Sequence, residues 1–216
     1  KGDTINGNVY IKHYFQEVDH GILLEMMRRK IKDEDVLWLI SKILNNNVSD
    51  IGEGGERRKG MPLGNLTSQF FANIYLNELD YFVKHKLKAK YYIRYVDDFV
   101  ILHKSRMQLD VWKEQIDNFL KNDLKLELHP DKSRIICLKR GVDFVGFRNY
   151  YSSRLLRKRN ISTMRRKIRR YKFGINSFEK TLEIYKGWQA YAQWGNTYKL
   201  RKQIKNEIID ILLEKI

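Results

Sequence analysis

Two aspartates in tandem, Asp97 and Asp98, are the residues of this chain best suited to do chemistry. They stand between two β-prone runs, Tyr91–Tyr95 and Phe99–Leu102, so the pattern predicts a hairpin with carboxylates at its tip. Acids in a turn are most often simply solvated. An ordinary exposed hairpin, however, turns on Asn-Gly or Asp-Gly and alternates polar residues along its open face. Here the flanks are apolar or aromatic almost throughout, which predicts buried strands with two like charges at their end. Such a pair is tolerated where divalent cations neutralise it. Two-metal sites of this kind hold ions roughly 3.5–4 Å apart and promote in-line attack on phosphorus.

The elements that must position these acids follow from periodicity and capping signals. Val9–Phe15 reads as a short strand, and Asp19 and Asp33 cap helices over 20–30 and 33–44. Asn45–Gly60, which contains Gly52-Glu53-Gly54-Gly55, predicts a mobile loop. Apolar residues recurring at Phe70, Ile74, Phe82 and Leu87 predict a long amphipathic helix over 67–88, with Pro62 and Gly64 at its start. Beyond the hairpin, Ser105 caps a helix over 106–121. Short strands follow at Leu124–Leu128, Arg134–Leu138 and Val142–Val145, joined by turns at Pro130 and Gly141. The remainder reads as helical, with Ser162 and Ser177 capping helices over 163–173 and 178–192 before a last one over 199–214. The expected fold class is α+β: an antiparallel sheet with helices on one face over 1–150, then an all-helical segment over 151–216.

The 216 residues carry 42 Lys+Arg against 26 Asp+Glu, a formal net charge of +16, and 43% of them are hydrophobic and 12% aromatic. That apolar content predicts a folded chain rather than a disordered one. Cys137 is a lone cysteine, and the five histidines show no zinc-ligand spacing. No Gly-x-Ser-x-Gly, no phosphate loop ending in Gly-Lys-Ser/Thr and no Gly-x-Gly-x-x-Gly occurs, so hydrolase, P-loop and dinucleotide-binding readings lack support. Without an apolar run of about 18–20 residues or an apolar signal core, no membrane partner is expected and the chain reads as cytoplasmic. The charge is uneven: residues 1–133 hold 21 basic and 20 acidic side chains, whereas 134–216 hold 21 and 6. Arg154–Lys172 contains ten basic residues and no acidic one, and Tyr185, Trp188, Tyr191, Trp194 and Tyr198 follow it. Cations interleaved with aromatics suit a polyanion with stackable bases. A solvated helix face and, more remotely, a membrane-surface helix are the competing readings.

The run Gly60-Met61-Pro62-Leu63-Gly64-Asn65-Leu66-Thr67-Ser68-Gln69, then Ala72-Asn73-Ile74-Tyr75-Leu76-Asn77-Glu78-Leu79-Asp80, then Arg94-Tyr95-Val96-Asp97-Asp98 resembles bacterial reverse transcriptases. The likeness is strongest to those of diversity-generating retroelements, with retron and group II intron enzymes as relatives. Tyr14-Phe15 and Val18-Asp19-His20 match the family's first palm motif, His129-Pro130-Asp131-Lys132 its lysine-bearing motif, and Phe144-Val145-Gly146-Phe147 its primer-gripping turn. The resemblance implies a polymerase palm over 1–150 and a helical, basic thumb over 151–216. It implies RNA-directed DNA synthesis from dNTPs, on an RNA template, at the end of a DNA or RNA primer. Asp97 and Asp98 would hold two Mg²⁺ ions, and Lys132 would protonate the departing pyrophosphate or be a plain surface lysine. Phe15 would bar a ribose 2′-hydroxyl or be a core residue, and Gly64, Asn65 and Gln69 would line the nucleotide site. Val145, Gly146 and Phe147 would contact primer, while Arg165, Arg166, Arg169 and Arg170 would hold duplex phosphates. An accessory basic protein is a further partner the resemblance suggests.

One departure stands out. The family carries an aspartate five positions before the gate aromatic, and Tyr10 occupies that position. A phenol, neutral at pH 7, does not replace a carboxylate. Residues 1–10 and the missing fingers subdomain point to a fragment, a chimaeric junction or a degenerate copy. Asp3 is a remote substitute, since seven residues of strand span about 23 Å at roughly 3.3 Å each. The alternative function is therefore a catalytically dead palm and thumb that binds nucleic acid through its cations.

Overall fold

A computed structural model describes residues 5–45, 58–62 and 64–214, so Asp3 and most of the expected loop over Asn45–Gly60 lie outside the described residues. The chain divides into two compact units, Lys1–Cys137 and Leu138–Ile216. The hairpin around Gly146, which the sequence reading groups with residues 1–150, belongs to the second unit.

In the first unit, β1 (Ile5–Tyr10), β2 (Tyr91–Tyr95), β3 (Asp98–His103) and β4 (Arg134–Cys137) form an antiparallel sheet in the order β2-β3-β1-β4. Five helices accompany it: α1 (Tyr14–Glu17), α2 (His20–Arg28), α3 (Glu34–Asn45), α4 (Leu66–Tyr81) and α5 (Arg106–Asp123). The caps do what their side chains predict. Asp19 accepts from the Ile22 amide at 3.0 Å, Asn65 from Thr67 at 3.1 Å and Ser105 from Gln108 at 3.3 Å, each satisfying an amide that a helix start leaves without a partner. α4 runs on into a π-helical turn over Phe82–Lys86.

Strand alternation decides which side of the sheet meets the helices. Phe99 and Ile101 are buried, and their register partners are Arg94 and Tyr92. They share a core with Phe71, Ala72, Leu76 and Leu79 of α4 and Leu109, Trp112, Ile116 and Leu120 of α5. Two tyrosines bring hydroxyls into this core and satisfy them there. Tyr14 donates to the Ala72 carbonyl at 2.7 Å. Tyr75, fully buried, donates to the Leu124 carbonyl at 2.7 Å and accepts from the Asp19 amide at 3.4 Å, so one phenol ties α4 to both the start of α2 and the end of α5.

Three sequence expectations need correction in this unit. The strand expected over Val9–Phe15 ends at Tyr10, and Tyr14 and Phe15 lie in α1, because His13 takes a left-handed φ of 45° and turns the chain without a glycine or proline to announce it. Leu124–Leu128 is not a strand. Lys125 has a φ of 52° and the Leu126 amide returns to the Leu120 carbonyl, so Leu124 and Leu126 are anchors of a helix-end turn, and Leu128 makes one isolated bridge with Ile11. Finally, β2 is an edge strand with only one covered face, and Tyr91, Ile93 and Tyr95 are 58, 56 and 61% exposed where buried strands were expected.

The second unit opens with a three-stranded antiparallel sheet of β5 (Val142–Phe144), β6 (Phe147–Asn149) and β7 (Arg154–Leu156). The segment after residue 150 is thus not all-helical, since three residues of alternation at β7 are too few to read as a strand. α6 (Lys158–Lys172), α7 (Phe178–Ala192) and α8 (Tyr198–Leu213) follow. α6 begins ahead of Ser162, because Lys158 and Arg159 propagate a helix well. Met164, Ile168 and Tyr171 of α6 pack with Tyr185 of α7 and Ile204, Ile208 and Ile211 of α8. Among the described residues no helix is long and apolar enough to cross a membrane.

Replacing Tyr75 by Phe keeps the ring and removes the hydroxyl, leaving the buried Leu124 carbonyl without its donor. Such a loss costs about 1–3 kcal/mol. Urea denaturation of Tyr75→Phe is expected to show that drop, and a midpoint equal to the parent's would mean the hydroxyl does not tie these helices.

Candidate functional site

The acidic turn is built from strain and support. Tyr95 and Asp98 pair across β2 and β3, so Val96 and Asp97 form a two-residue connection. Val96 takes a φ of 55°, a conformation that favours glycine and is costly for a β-branched residue. Arg94 holds it in place. Its guanidinium donates to the Val96 carbonyl at 3.0 Å and to both oxygens of Asp80 on α4, at 2.8 and 2.5 Å, while the Tyr92 hydroxyl donates to the same Asp80 at 2.6 Å. The Arg94 side chain is only 9% exposed. A bidentate pair under the strand thus fixes the turn above it.

Position 10 lies between the acids and the lysine motif. Tyr10 is the register partner of Asp98, and the Ile11 amide donates to the Asp97 carbonyl at 3.2 Å. On the other side, the His129 amide donates to the Tyr10 carbonyl at 2.7 Å, and the Ser133 hydroxyl receives the Tyr10 amide at 3.2 Å. Lys132, in that turn, is exposed, and its charge reaches Asp97. Partial burial pushes the Asp97 carboxyl above its ordinary range, with Lys132 pulling the other way. Burial also drives the Tyr14 phenol far up, and the Asp97 charge adds to that.

The first-motif aromatic and the start of α4 are joined by backbone. The Met61 amide donates to the Phe15 carbonyl and the Gly60 amide to the Val18 carbonyl, both at 2.8 Å, and His20 donates its amide to Arg58. Phe15 is half-buried, 5.4 Å edge-on from Tyr14. Gly64, at φ 87°, has open space where a side chain would stand, and Asn65 and Gln69 are exposed. Asn65 already spends its carbonyl oxygen on capping α4.

In the second unit, Val145 (φ 47°) and Gly146 (φ 78°) turn β5 into β6. Val145 is exposed, while Phe147 is 6% exposed, packed on Tyr191 at 4.8 Å with Arg154 over its ring. A side chain at Gly146 would collide with the Tyr191 hydroxyl, which donates to the Val145 carbonyl at 3.2 Å. Arg166, Arg169 and Arg170 are exposed on α6, but Arg165 leans on Glu207 of α8 at 3.6 Å. A groove of about 340 Å³ beside Gly146 is lined by Arg157, Asn160, Lys167 and Trp188, with the indole donating to Asn160 at 2.7 Å. Sequence reasoning missed this groove and the Asp80–Arg94 support, because both join residues whose spacing carries no local signal.

Hard oxygen donors on Asp97 and Asp98 suit magnesium, which is bound through one or two carboxylates and completed by substrate phosphates and water. Among the described residues no group of three or more His, Cys, Asp or Glu side chains comes together.

The hairpin that carries Asp97 and Asp98 thus stands on an antiparallel sheet backed by α4 and α5, beside the turn that holds Lys132. Residues 8–149 match the family described as reverse transcriptase (RNA-dependent DNA polymerase), well over half of the chain, and the chain belongs to that family. Protein YkfC of Escherichia coli K12 is 28% identical over 69% of this chain and 46% of its own length. The group II intron-encoded protein LtrA of Lactococcus lactis subsp. cremoris is likewise 28% identical, over 63% of this chain and 33% of its own. The chain spans less than half the length of these curated relatives. The structure of telomerase from Candida albicans shares the fold at a TM-score of 0.55 and 13% identity, covering 98% of this chain and 45% of that one.

Because Asp80 loses two of its charged donors at once, Arg94→Leu is expected to lower stability by about 1–3 kcal/mol, discounted for partial exposure of Asp80. Arg94→Lys, lacking the planar fork, is expected to recover less than half of that in the same urea titration. Full recovery by lysine would show that charge alone, not the fork, holds the turn.

Proposed function

We propose that this chain is the palm and thumb part of an RNA-directed DNA polymerase of bacterial retroelement type, with motifs most like those of diversity-generating retroelements. The observation that carries the reading is the Tyr10–Asp98 register, which sets the strand leading into the first palm motif beside the tandem acids, with the lysine turn on its other side. In this reading Asp97 and Asp98 hold the catalytic magnesium. Magnesium bound there supplies a lower pKa for the primer 3′-hydroxyl and charge neutralisation of the leaving pyrophosphate. Lys132 adds a positive charge, and a proton, on the leaving-group side. Phe15 excludes a ribose 2′-hydroxyl by bulk, and Gly64, Asn65 and Gln69 border the incoming dNTP. Val145 and the Gly146 backbone meet the primer, with Phe147 as the anchor beneath them, and Arg166, Arg169 and Arg170 hold duplex phosphates without reading sequence. Arg165 shares its charge with Glu207 and contributes less.

Tyr10 favours a second reading, in which the sheet has lost its chemistry and the cations retain nucleic-acid binding. The two separate in one experiment. Tyr10→Asp puts a carboxylate opposite Asp98 and is expected to raise magnesium-dependent dNTP incorporation on a primed RNA template at least tenfold over the parent chain. Incorporation equally absent from both proteins would sink the polymerase reading for this chain and leave the binding module.

Asp97→Asn is expected to abolish that incorporation without harming the fold. Because burial raises its carboxyl above the ordinary range, between the unfolded and native values the native state keeps a proton that the unfolded chain has released. That stabilising contribution is present at low pH and is lost as pH rises through the native value. Above that value the ionised group is a liability that Asn removes. Thermal melts should show Asp97→Asn at least as stable as the parent at pH 7, with the difference shrinking on acidification; a lower melting point at pH 7 contradicts this.

A further inference from the structure

From Tyr81 to Val96 the chain carries no acidic residue, yet Lys84, Lys86, Lys88 and Lys90 all fall there. They stand out because residues 1–133 hold 21 basic and 20 acidic side chains in all, and without these four the basic count would be 17. All four are exposed, and they gather where the π-helical turn over Phe82–Lys86 passes into β2. Lys88 adopts a left-handed φ of 54° in that passage. The pairing of Tyr91 with Leu102 brings Lys104, also exposed, to the same end of the hairpin. Among the described residues none of the five makes an ion pair. Lys90 sits over the ring of Tyr91 at 5.4 Å and Lys84 over Tyr92 at 5.9 Å, so aromatic faces orient two of the ammonium groups. Four steps of β2 separate Tyr91 from Tyr95, about 13 Å at roughly 3.3 Å each, and Asp97 lies in the turn beyond. This cluster therefore lies at the end of the hairpin remote from the acids.

We propose that this lysine cluster is a second nucleic-acid docking surface, which grips the phosphodiester backbone of a helical segment lying outside the polymerising site. Compact ammonium charges without carboxylate partners suit phosphates as point charges, a contact that carries no base sequence. Its effect is to hold a long folded template at two points. The surface extends the RNA-binding reading above but is measured without any nucleotide incorporation, so its failure and that of the polymerase reading are distinguishable.

The test compares the full chain with Lys84→Gln/Lys86→Gln/Lys88→Gln/Lys90→Gln, using fluorescence anisotropy of an RNA hairpin and of a DNA hairpin of the same sequence over a range of salt. Each phosphate contact contributes roughly 0.7–0.9 to the slope of log affinity against log salt. The slope is expected to fall by about 3 in the quadruple variant for both hairpins, with circular dichroism unchanged. The corresponding four Lys→Arg changes should keep the slope. A control that neutralises Lys30, Lys32, Lys121 and Lys125 should change it by less than 1. An unchanged slope in the quadruple variant, or an equal fall in the control, would overturn the proposal.

Discussion

Everything at the acidic turn rests on β3 being held from both sides. β2 fixes the turn by pairing Tyr95 with Asp98, and β1 fixes the neighbour across the sheet by pairing Tyr10 with the same residue. Strand alternation makes this an all-or-nothing arrangement, since a slip of one residue would carry Phe99 and Ile101 out of the core and every polar partner to the wrong face. Their burial against α4 and α5 is what opposes the slip. The Asp80–Arg94 pair secures the same register from below and passes it to a backbone carbonyl in the turn itself. A chain that keeps a valine in a glycine-like conformation needs such reinforcement.

Much of this was readable in advance, and the misses share a cause. Asp19, Ser105 and Ser177 signal helix starts through side chains that bond three residues away, so their meaning is local and survives without coordinates. The hairpin likewise declares itself in two β-prone runs around a polar pair. Reversals made by non-glycine residues in left-handed conformations gave no such sign. His13 and Lys125 each end an apolar alternation that looks like strand, and each converts it into turn or helix. The exposure of β2 is illegible for another reason: a run of aromatics shows affinity for a covered face, not whether a second layer is present to cover it.

Candidate site residues divide in the same way. Asp97, Lys132 and Phe15 are visible as types in a motif, but their surroundings are not. Proximity of Lys132 to Asp97 depends on the turn from His129 to Ser133 bonding to Tyr10, a link spanning more than a hundred residues. Arg165 looks equivalent to Arg166 in sequence, and only the packing of α8 against α6 engages it with Glu207. Phe147, in the same run as Val145, turns inward to anchor the strand whose tip its neighbour exposes.

The space beside Gly146 is occupied by the tip of Tyr191, a residue forty-five positions later on α7. These two sites are thus complementary halves of one shape, and neither is free to drift alone. Among relatives with this β-turn and helix, a larger residue at the first position should be accompanied by a shorter one at the second. Sequence variation at the pair would then trace how tightly the turn is clamped to its helix, with no structure required.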